Sequence, residues 1–545
     1  SPTSVAFDEE ENKYEKRRRR RRQTPRLSWP TFGMLYCLGT ILLIWRLASD
    51  SASYRAKLLD LEQFKRAIKL QRQRNDNDKS NLKKRPQRKK KKKQNDLKLQ
   101  EEFQALEHAI VNNVAGGPLF IRPQLLPPLP GQPEKTTVGR TQASPHNSNT
   151  LYDGVDPFKA WRKGTEMAWL QDDYDQHKPL KVDYTKHHYE YPQVMEKPPG
   201  QGGYPQLETL GEMLTKWPQN NMDDPPTPIV ERLLHFNYSD HNERAAALKF
   251  REAELPFKLY DVPEVTEAGI KWTDDYVSQH FDAPHSFWSG GPPRRKGTCQ
   301  ESPNHFFAFF TPPLWKVGTM GVPPTRTNDW SFKMWARHAK YADAVGLTED
   351  RPHFYWQAGV PKEERYQNPR QWTFVSKDLP SFSSPTDTFF VFDVEQQKGI
   401  QCRFGERGVT AATHYDSGRN MIAMVTGAKR YILSPPRECS KLGIVTEREN
   451  AIFRHSLLNF GNLEYLDTEQ GKNMSADERA WLERAKNSMA VDTVLKAGEV
   501  MYIPSHWFHY ITSVQKSAQC NVRSGVEKAG TAEFGGAKDV RKCSD

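Results

Sequence analysis

Val409-Thr-Ala-Ala-Thr-His-Tyr-Asp-Ser-Gly-Arg-Asn-Met-Ile-Ala-Met-Val-Thr-Gly-Ala-Lys-Arg-Tyr-Ile-Leu-Ser-Pro-Pro436 decides how this 545-residue chain folds. Its apolar runs Met421-Ile-Ala-Met-Val425 and Arg430-Tyr-Ile-Leu433 read as strands, with Gly427 at the turn between them. Phe389-Phe-Val-Phe392 and Val500-Met-Tyr-Ile503 have the same texture. Short strands broken by Gly and Pro predict a barrel or sandwich. A helix opened by the capping box Ser475-x-x-Glu478 and carrying Trp481 and Leu482 interrupts them and is expected outside the barrel. Earlier, Thr273-Asp-Asp-Tyr-Val and Asn328-Asp-Trp-Ser-Phe-Lys-Met-Trp335 open with capping residues and read as helices.

The same stretch carries the chemistry. On a strand, residues i and i+2 share a face, so His414 and Asp416 can grip one ion while Tyr415 faces away. A histidine from Tyr502-Ile-Pro-Ser-His-Trp-Phe-His-Tyr510 would complete two nitrogens and one carboxylate, the facial triad of non-haem Fe(II) oxygenases. His506 and His509 both compete for that place; three apart on a strand they face opposite ways, so at most one enters. Lys429, near such a site in an otherwise apolar barrel, needs an anionic partner, and a dicarboxylate co-substrate would supply one.

These residues resemble the JmjC, or cupin-like, 2-oxoglutarate oxygenases, in texture nearest the protein-hydroxylase branch typified by the asparaginyl hydroxylase of hypoxia-inducible factor. His-Tyr-Asp416, Asn420, Gly-x-Lys-Arg430, Leu-x-Pro-Pro436 and Gly498-Glu-x-x-Tyr-Ile-Pro-x-x-Trp-x-His509 follow in the family's order. Tyr355-Trp-Gln357 is similar to an earlier family element, and Trp272 to Tyr276 to its N-terminal helix entry. The resemblance covers about residues 205 to 526 and implies a double-stranded β-helix (jelly-roll) domain, mainly β with flanking helices. It implies Fe(II) on His414, Asp416 and His509, with O2 and 2-oxoglutarate as co-substrates. Lys429 would pair with the distal carboxylate of 2-oxoglutarate with Tyr355 as helper, and Asn420 and Asn521 would line the pocket. Two departures bear on the site. Val409-Thr-Ala-Ala-Thr-His414 is one residue longer than the family's approach, leaving Thr410 or Thr413 for the co-substrate threonine, and Arg523 replaces an expected aromatic.

Outward from this domain the chain changes character. Residues 1 to 100 hold 28 Lys+Arg against 11 Asp+Glu, net +17; subtracting these from 79 and 67 leaves 51 against 56, net −5, for the remainder. The basic excess is therefore N-terminal, and no nucleic-acid partner is expected of the folded part. After a basic tail (1–26), the 19 uncharged residues between Arg26 and Arg46 would span roughly 28 Å as a helix, enough for a membrane. Nine Lys/Arg before this span against three from Arg46 to Lys57 predict a signal anchor over 27–48, with the N-terminus cytosolic and the rest lumenal. Residues 49–150 read as a stem with two short amphipathic helices, a Lys-rich run (83–93) and scope for weak self-association. A poorly defined linker (151–204) precedes the catalytic domain, and a tail (527–545) follows it. Sequons at Asn237 and Asn473 fit a lumenal position, and six scattered cysteines allow one or two bridges.

The expected activity is hydroxylation of protein side chains in the secretory pathway, by a type II membrane protein of the endoplasmic reticulum or Golgi. Two competing readings are a nuclear histone lysine demethylase, drawn by the Lys-rich run, and a non-catalytic, membrane-tethered cupin that serves as a binding module.

Overall fold

The computed structural model describes residues 126–127, 129–130, 180–193, 203–282, 297–302, 305–307, 326–328, 330–345, 353–359, 373–397, 399–446, 453–526, 533–541 and 543. The expected anchor and nearly all of the stem lie outside them. Among the described residues no helix is long and apolar enough to cross a membrane.

Seventeen strands are described. They begin with β1 (Tyr189–Glu190), β2 (Glu208–Thr209), β3 (Ile229–Val230), β4 (His235–Asn237), β5 (Phe257–Tyr260) and β6 (Thr298–Ser302). Next come β7 (Phe306–Phe307), β8 (Arg326–Asn328), β9 (His353–Gly359), β10 (Ile400–Gly405), β11 (Thr410–Tyr415) and β12 (Asn420–Thr426). The last are β13 (Ala428–Ser434), β14 (Met489–Lys496), β15 (Val500–Ile503), β16 (Phe508–Ser513) and β17 (Ser517–Arg523). Nine form one sheet in the order β4-β5-β15-β12-β17-β10-β9-β6-β8, and six form a second, β2-β14-β13-β16-β11-β7. Chain-adjacent strands alternate between the sheets (β10, then β11; β12, then β13; β15, then β16, then β17), the winding of a jelly roll. The mainly β fold expected from the sequence is therefore present.

Alternation of side chains decides what lies between the sheets. Tyr431 of the smaller sheet donates to Gln519 of the larger, so both face inward. From Gln519 the register carries Arg403 and Gln357 to the same inner face. The outer faces are apolar. Outside the larger sheet lie Trp272, which follows the helix Pro263–Lys271, and Phe281 and Trp335 from two further helices; outside the smaller, Trp481 and Leu482 of Ala476–Lys486 pack near Phe508 and Tyr510. That helix is capped by Ser475, whose hydroxyl accepts from the Glu478 amide, and it lies outside the barrel as its sequence suggests.

Two local expectations are corrected, and contacts of residues outside 205–526 are added to them. Phe389–Phe392 is an irregular turn and not a strand: Thr388 Oγ1 accepts from the amides of Phe390 and Val391, closing the chain on itself instead of on a neighbour. The helix expected from Asn328 starts at Phe332, because Asn328 is paired in β8 and the Asp282 carboxylate takes the amides of Phe332 and Lys333. The folded body also reaches beyond 205–526: Tyr184 packs with Val514, Trp481 donates to the Pro127 carbonyl, and Cys543 is joined to Cys439.

Candidate metal centre

His414 is the penultimate residue of β11 and His509 lies on β16, directly opposite it in the ladder. The pairing advances from Ala411↔Ile511 to His414↔His509, three residues against two, so a β-bulge absorbs the extra residue noted in the sequence. Without it His414 would turn to the other face. Thr410 is left on that other face: its hydroxyl meets Thr512, on the opposite side of β16 from His509. Thr413 Oγ1 is buried with no hydrogen-bond partner among the described residues.

The donor atoms of His414, Asp416 and His509 lie within 4.8 Å of one another. His414 Nδ1 donates to the Ala412 carbonyl (2.8 Å) and His509 Nδ1 to the Trp507 carbonyl (3.1 Å). A carbonyl only accepts, so each proton sits on Nδ1 and each Nε2 is a bare lone pair. The two Nε2 atoms stand 3.1 Å apart, with Asp416 Oδ2 3.8 Å from that of His509. Two facing lone pairs repel, whereas nitrogens bound cis to one ion at about 2.1 Å stand roughly 3 Å apart. The residues therefore fit a divalent metal.

Burial, reinforced by His509, pushes His414 down to about 3, and burial also lowers His509, so both imidazoles are neutral at neutral pH. Burial alone would raise the Asp416 carboxyl, but Arg523 and the two histidines hold it below the usual carboxylate range. Arg523 Nη1 donates to Asp416 Oδ1 at 2.7 Å, leaving Oδ2 toward the histidines. Asn420 reaches Asp416 Oδ2 at 3.5 Å, and Asn521 donates to Asn420 at 3.0 Å. His506 is excluded for a reason other than strand alternation. It sits in the turn before β16 with φ +66°, its amide bonded to the Asp416 carbonyl.

Lys429 enters from β13, and its Nζ lies 5.2 Å from the Tyr355 ring centre. It is buried and has no ion pair among the described residues. Burial, then the charge of Arg403, brings its ammonium down to about 7. Sequence reasoning did not single out Arg403 or His455. The first was legible as one of the alternating polar residues Gln401 and Arg403 in β10; the second has no sequence signal of its own. The His455 ring stacks on His414 at 5.0 Å, at the end of a segment that pairs back on β11.

Residues 342–523 match the family model of the cupin-like domain. The chain is 25% identical over 187 residues to tRNA wybutosine-synthesizing protein 5 of Danio rerio, covering 34% of this chain and 49% of that protein. It is 26% identical over 126 residues to JmjC domain-containing protein D of Dictyostelium discoideum, covering 23% and 24%. Lysine-specific demethylase JMJ30 of Arabidopsis thaliana is 28% identical over 131 residues, covering 24% and 27%. The chain spans about half the length of the wybutosine-synthesizing proteins it matches.

Proposed function

We propose that this chain, which carries a cupin-like domain with JmjC-family relatives, is an Fe(II)- and 2-oxoglutarate-dependent oxygenase that hydroxylates protein side chains in the secretory pathway. The observation that carries this is the pair of imidazoles locked as Nδ1–H tautomers, with bare Nε2 atoms 3.1 Å apart beside Asp416. His414, Asp416 and His509 would hold the metal on one side. Lys429 and Tyr355 would hold the far end of 2-oxoglutarate, with Asn420 and Asn521 lining the pocket and fixing the Asp416 carboxylate. Thr413 is the better placed of the two threonines, since Thr410 is engaged on the far face. Fe(II) and 2-oxoglutarate bound there would supply dioxygen activation, turning a substrate C–H into C–OH with one oxygen atom while the other enters succinate as the 2-oxoacid loses CO2. The protein's part is to hold the ligands cis, keep water out and leave open positions.

Two buried disulfides, Cys402–Cys520 and Cys439–Cys543, support an oxidising compartment and weigh against a nuclear demethylase. Asn473 is exposed, as a glycan acceptor must be, and the apolar span 27–45 would provide the anchor. Residues 101–545 carry net −5 (51 against 56), which does not suit a tRNA substrate. The complete metal-binding geometry disfavours the binding-module reading. The test measures Mn(II) binding and succinate formation for the full chain and for His414→Ala and Asp416→Ala. Both should fall to background in the variants, and normal succinate output from either would refute the assignment. Protease protection and glycan analysis at Asn473 test the lumenal placement.

A further inference from the structure

The inner face between the two sheets carries more positive charge than one co-substrate anchor requires. Three cationic side chains face it: Arg523, Arg403 and Lys429. Arg523 is neutralised by Asp416 at 2.7 Å. Lys429 and Arg403 have no carboxylate partner among the described residues. Arg403 lies on β10 directly opposite Gln519 and Gln357, and Gln519 is fixed as inward-facing by its bond from Tyr431 across the two sheets. One strand over, Tyr355 opposes Gly405, two residues along from Arg403 on the same face. That diagonal brings long side chains within reach of each other. Lys429 approaches the same Tyr355 ring from the other sheet, 5.2 Å from its centre. Tyr355 thus sits between an arginine of one sheet and a lysine of the other.

Two cations held together in a low-dielectric cavity repel, an arrangement that becomes favourable once an anion lies between them. Arg403 commits one N–H to Gln401 Oε1 at 2.8 Å, and the same oxygen receives Arg523 Nη2 at 3.3 Å. Gln401 so fixes the guanidinium plane, while the remaining donors of Arg403 have no protein partner among the described residues. Arg403 is half-buried, consistent with a side chain lining a cavity and not packed into a core. A planar fork with free donors beside an ammonium suits a carboxylate.

We propose that Arg403 is a second anchor for the distal carboxylate of the co-substrate, sharing it with Lys429 and selecting dicarboxylate over monocarboxylate 2-oxoacids. This rests on the oxygenase reading above. Gly405, the next inward position of β10, has room for no side chain, since a Cβ there would overlap the Ser513 hydroxyl, so the floor is closed just beyond Arg403.

The test is calorimetric binding of 2-oxoglutarate and of 2-oxopentanoate to the full chain loaded with Mn(II), which prevents turnover. 2-Oxopentanoate keeps the metal-binding end and has a methyl group in place of the distal carboxylate. Arg403→Met should weaken 2-oxoglutarate about 10- to 100-fold, the worth of a charge-assisted hydrogen bond, and leave 2-oxopentanoate within about 2-fold. Arg403→Lys, which keeps the charge but not the fork, should recover part of the loss; it decides the matter if Arg403→Met does not fold. Unchanged 2-oxoglutarate affinity in Arg403→Met, alongside its loss in Lys429→Met, would overturn the role of Arg403 and leave the oxygenase reading standing. Equal weakening of both oxoacids would also overturn it, since the distal carboxylate would then not be what Arg403 reads. Failure of the unmodified, Mn(II)-bound chain to bind 2-oxoglutarate at all would sink the oxygenase reading and this proposal with it.

Discussion

Lys429→Met should make the protein more stable and useless for binding 2-oxoglutarate at the same time. Methionine keeps the length and volume of the lysine stem and removes an ammonium that is buried with no ion pair among the described residues. Burial and Arg403 bring that ammonium down to about 7, against about 10.4 in an unfolded chain. Below pH 7 both states carry the proton, and the native state bears the whole penalty of a buried charge. Between about 7 and 10.4 the unfolded chain holds more protons than the native one, so native stability rises with pH and the penalty fades. About 1.4 kcal/mol per pH unit over this interval gives a penalty on the order of 3–5 kcal/mol at pH 7. Denaturant unfolding of the metal-free chain without any 2-oxoacid should show that gain for Lys429→Met at pH 7 and little at pH 10. In the Mn(II)-loaded chain, 2-oxoglutarate affinity should fall more than 100-fold, because truncating one side of a buried ion pair costs about 3–5 kcal/mol. A variant less stable than the parent by the same amount at both pH values would mean that Lys429 serves a structural contact, and the co-substrate assignment would fail.

The buried histidines predict acid sensitivity. Burial pushes His305 down to about 4; burial with His509 brings His414, and burial with His414 brings His455, to about 3. Each stays neutral in the native state while the unfolded chain takes up a proton below about 6.5, so stability is lost as pH falls, by about 3–4 kcal/mol in total between pH 7 and 5.5. Metal-free unfolding midpoints that stay flat over that range would contradict this. Peptide mapping under non-reducing conditions should recover Cys402 linked to Cys520 and Cys439 to Cys543, and reduction should lower stability by about 2–5 kcal/mol per bridge; an unlinked pair refutes its assignment. Gly427 has φ +70°, and a Cβ there would overlap the Lys516 carbonyl. Both Gly427→Ala and Gly427→Asn should therefore cost about 2 kcal/mol or more; Asn tolerates the dihedral, so rescue by Asn would show that the crowding is absent.

What could be read from the sequence was local. His414 and Asp416 are two residues apart, Gly427 marks a turn two residues before Lys429, and Ser475 caps a helix whose apolar residues recur at helical spacing. Each involves a few neighbouring residues and one period. Pairing partners across the sheets were not legible. His455 reaches His414 only because residues 453–456 pair back on β11, and nothing in Phe453-Arg-His-Ser456 announces that. His506 misled for the opposite reason. Pro504-Ser-His-Trp507 reads as strand, but a positive φ at His506 makes it a turn, where alternation does not apply. Phe389–Phe392 has the residues of a strand, yet the Thr388 hydroxyl offered its amides a closer acceptor than any neighbouring strand.

The disulfide in the larger sheet bears on the site as well as on stability. Cys402 and Cys520 are direct partners in the β10–β17 ladder, and their side chains join the apolar cluster on the outer face. Their immediate neighbours, Gln401, Arg403, Gln519 and Asn521, therefore occupy the inner face at adjacent rungs. A slip of one residue between these strands would send one set of polar groups outward, removing Arg403 or Asn521 from the cavity. Few apolar contacts oppose such a slip from inside, because the inner face of these rungs is polar. A covalent bond between residues 402 and 520 forbids it from outside. The strand pair that carries Arg403 is thus the one whose register is fixed chemically, and reduction of this bridge should loosen 2-oxoglutarate binding before it disturbs His414 and His509, which lie on the other sheet.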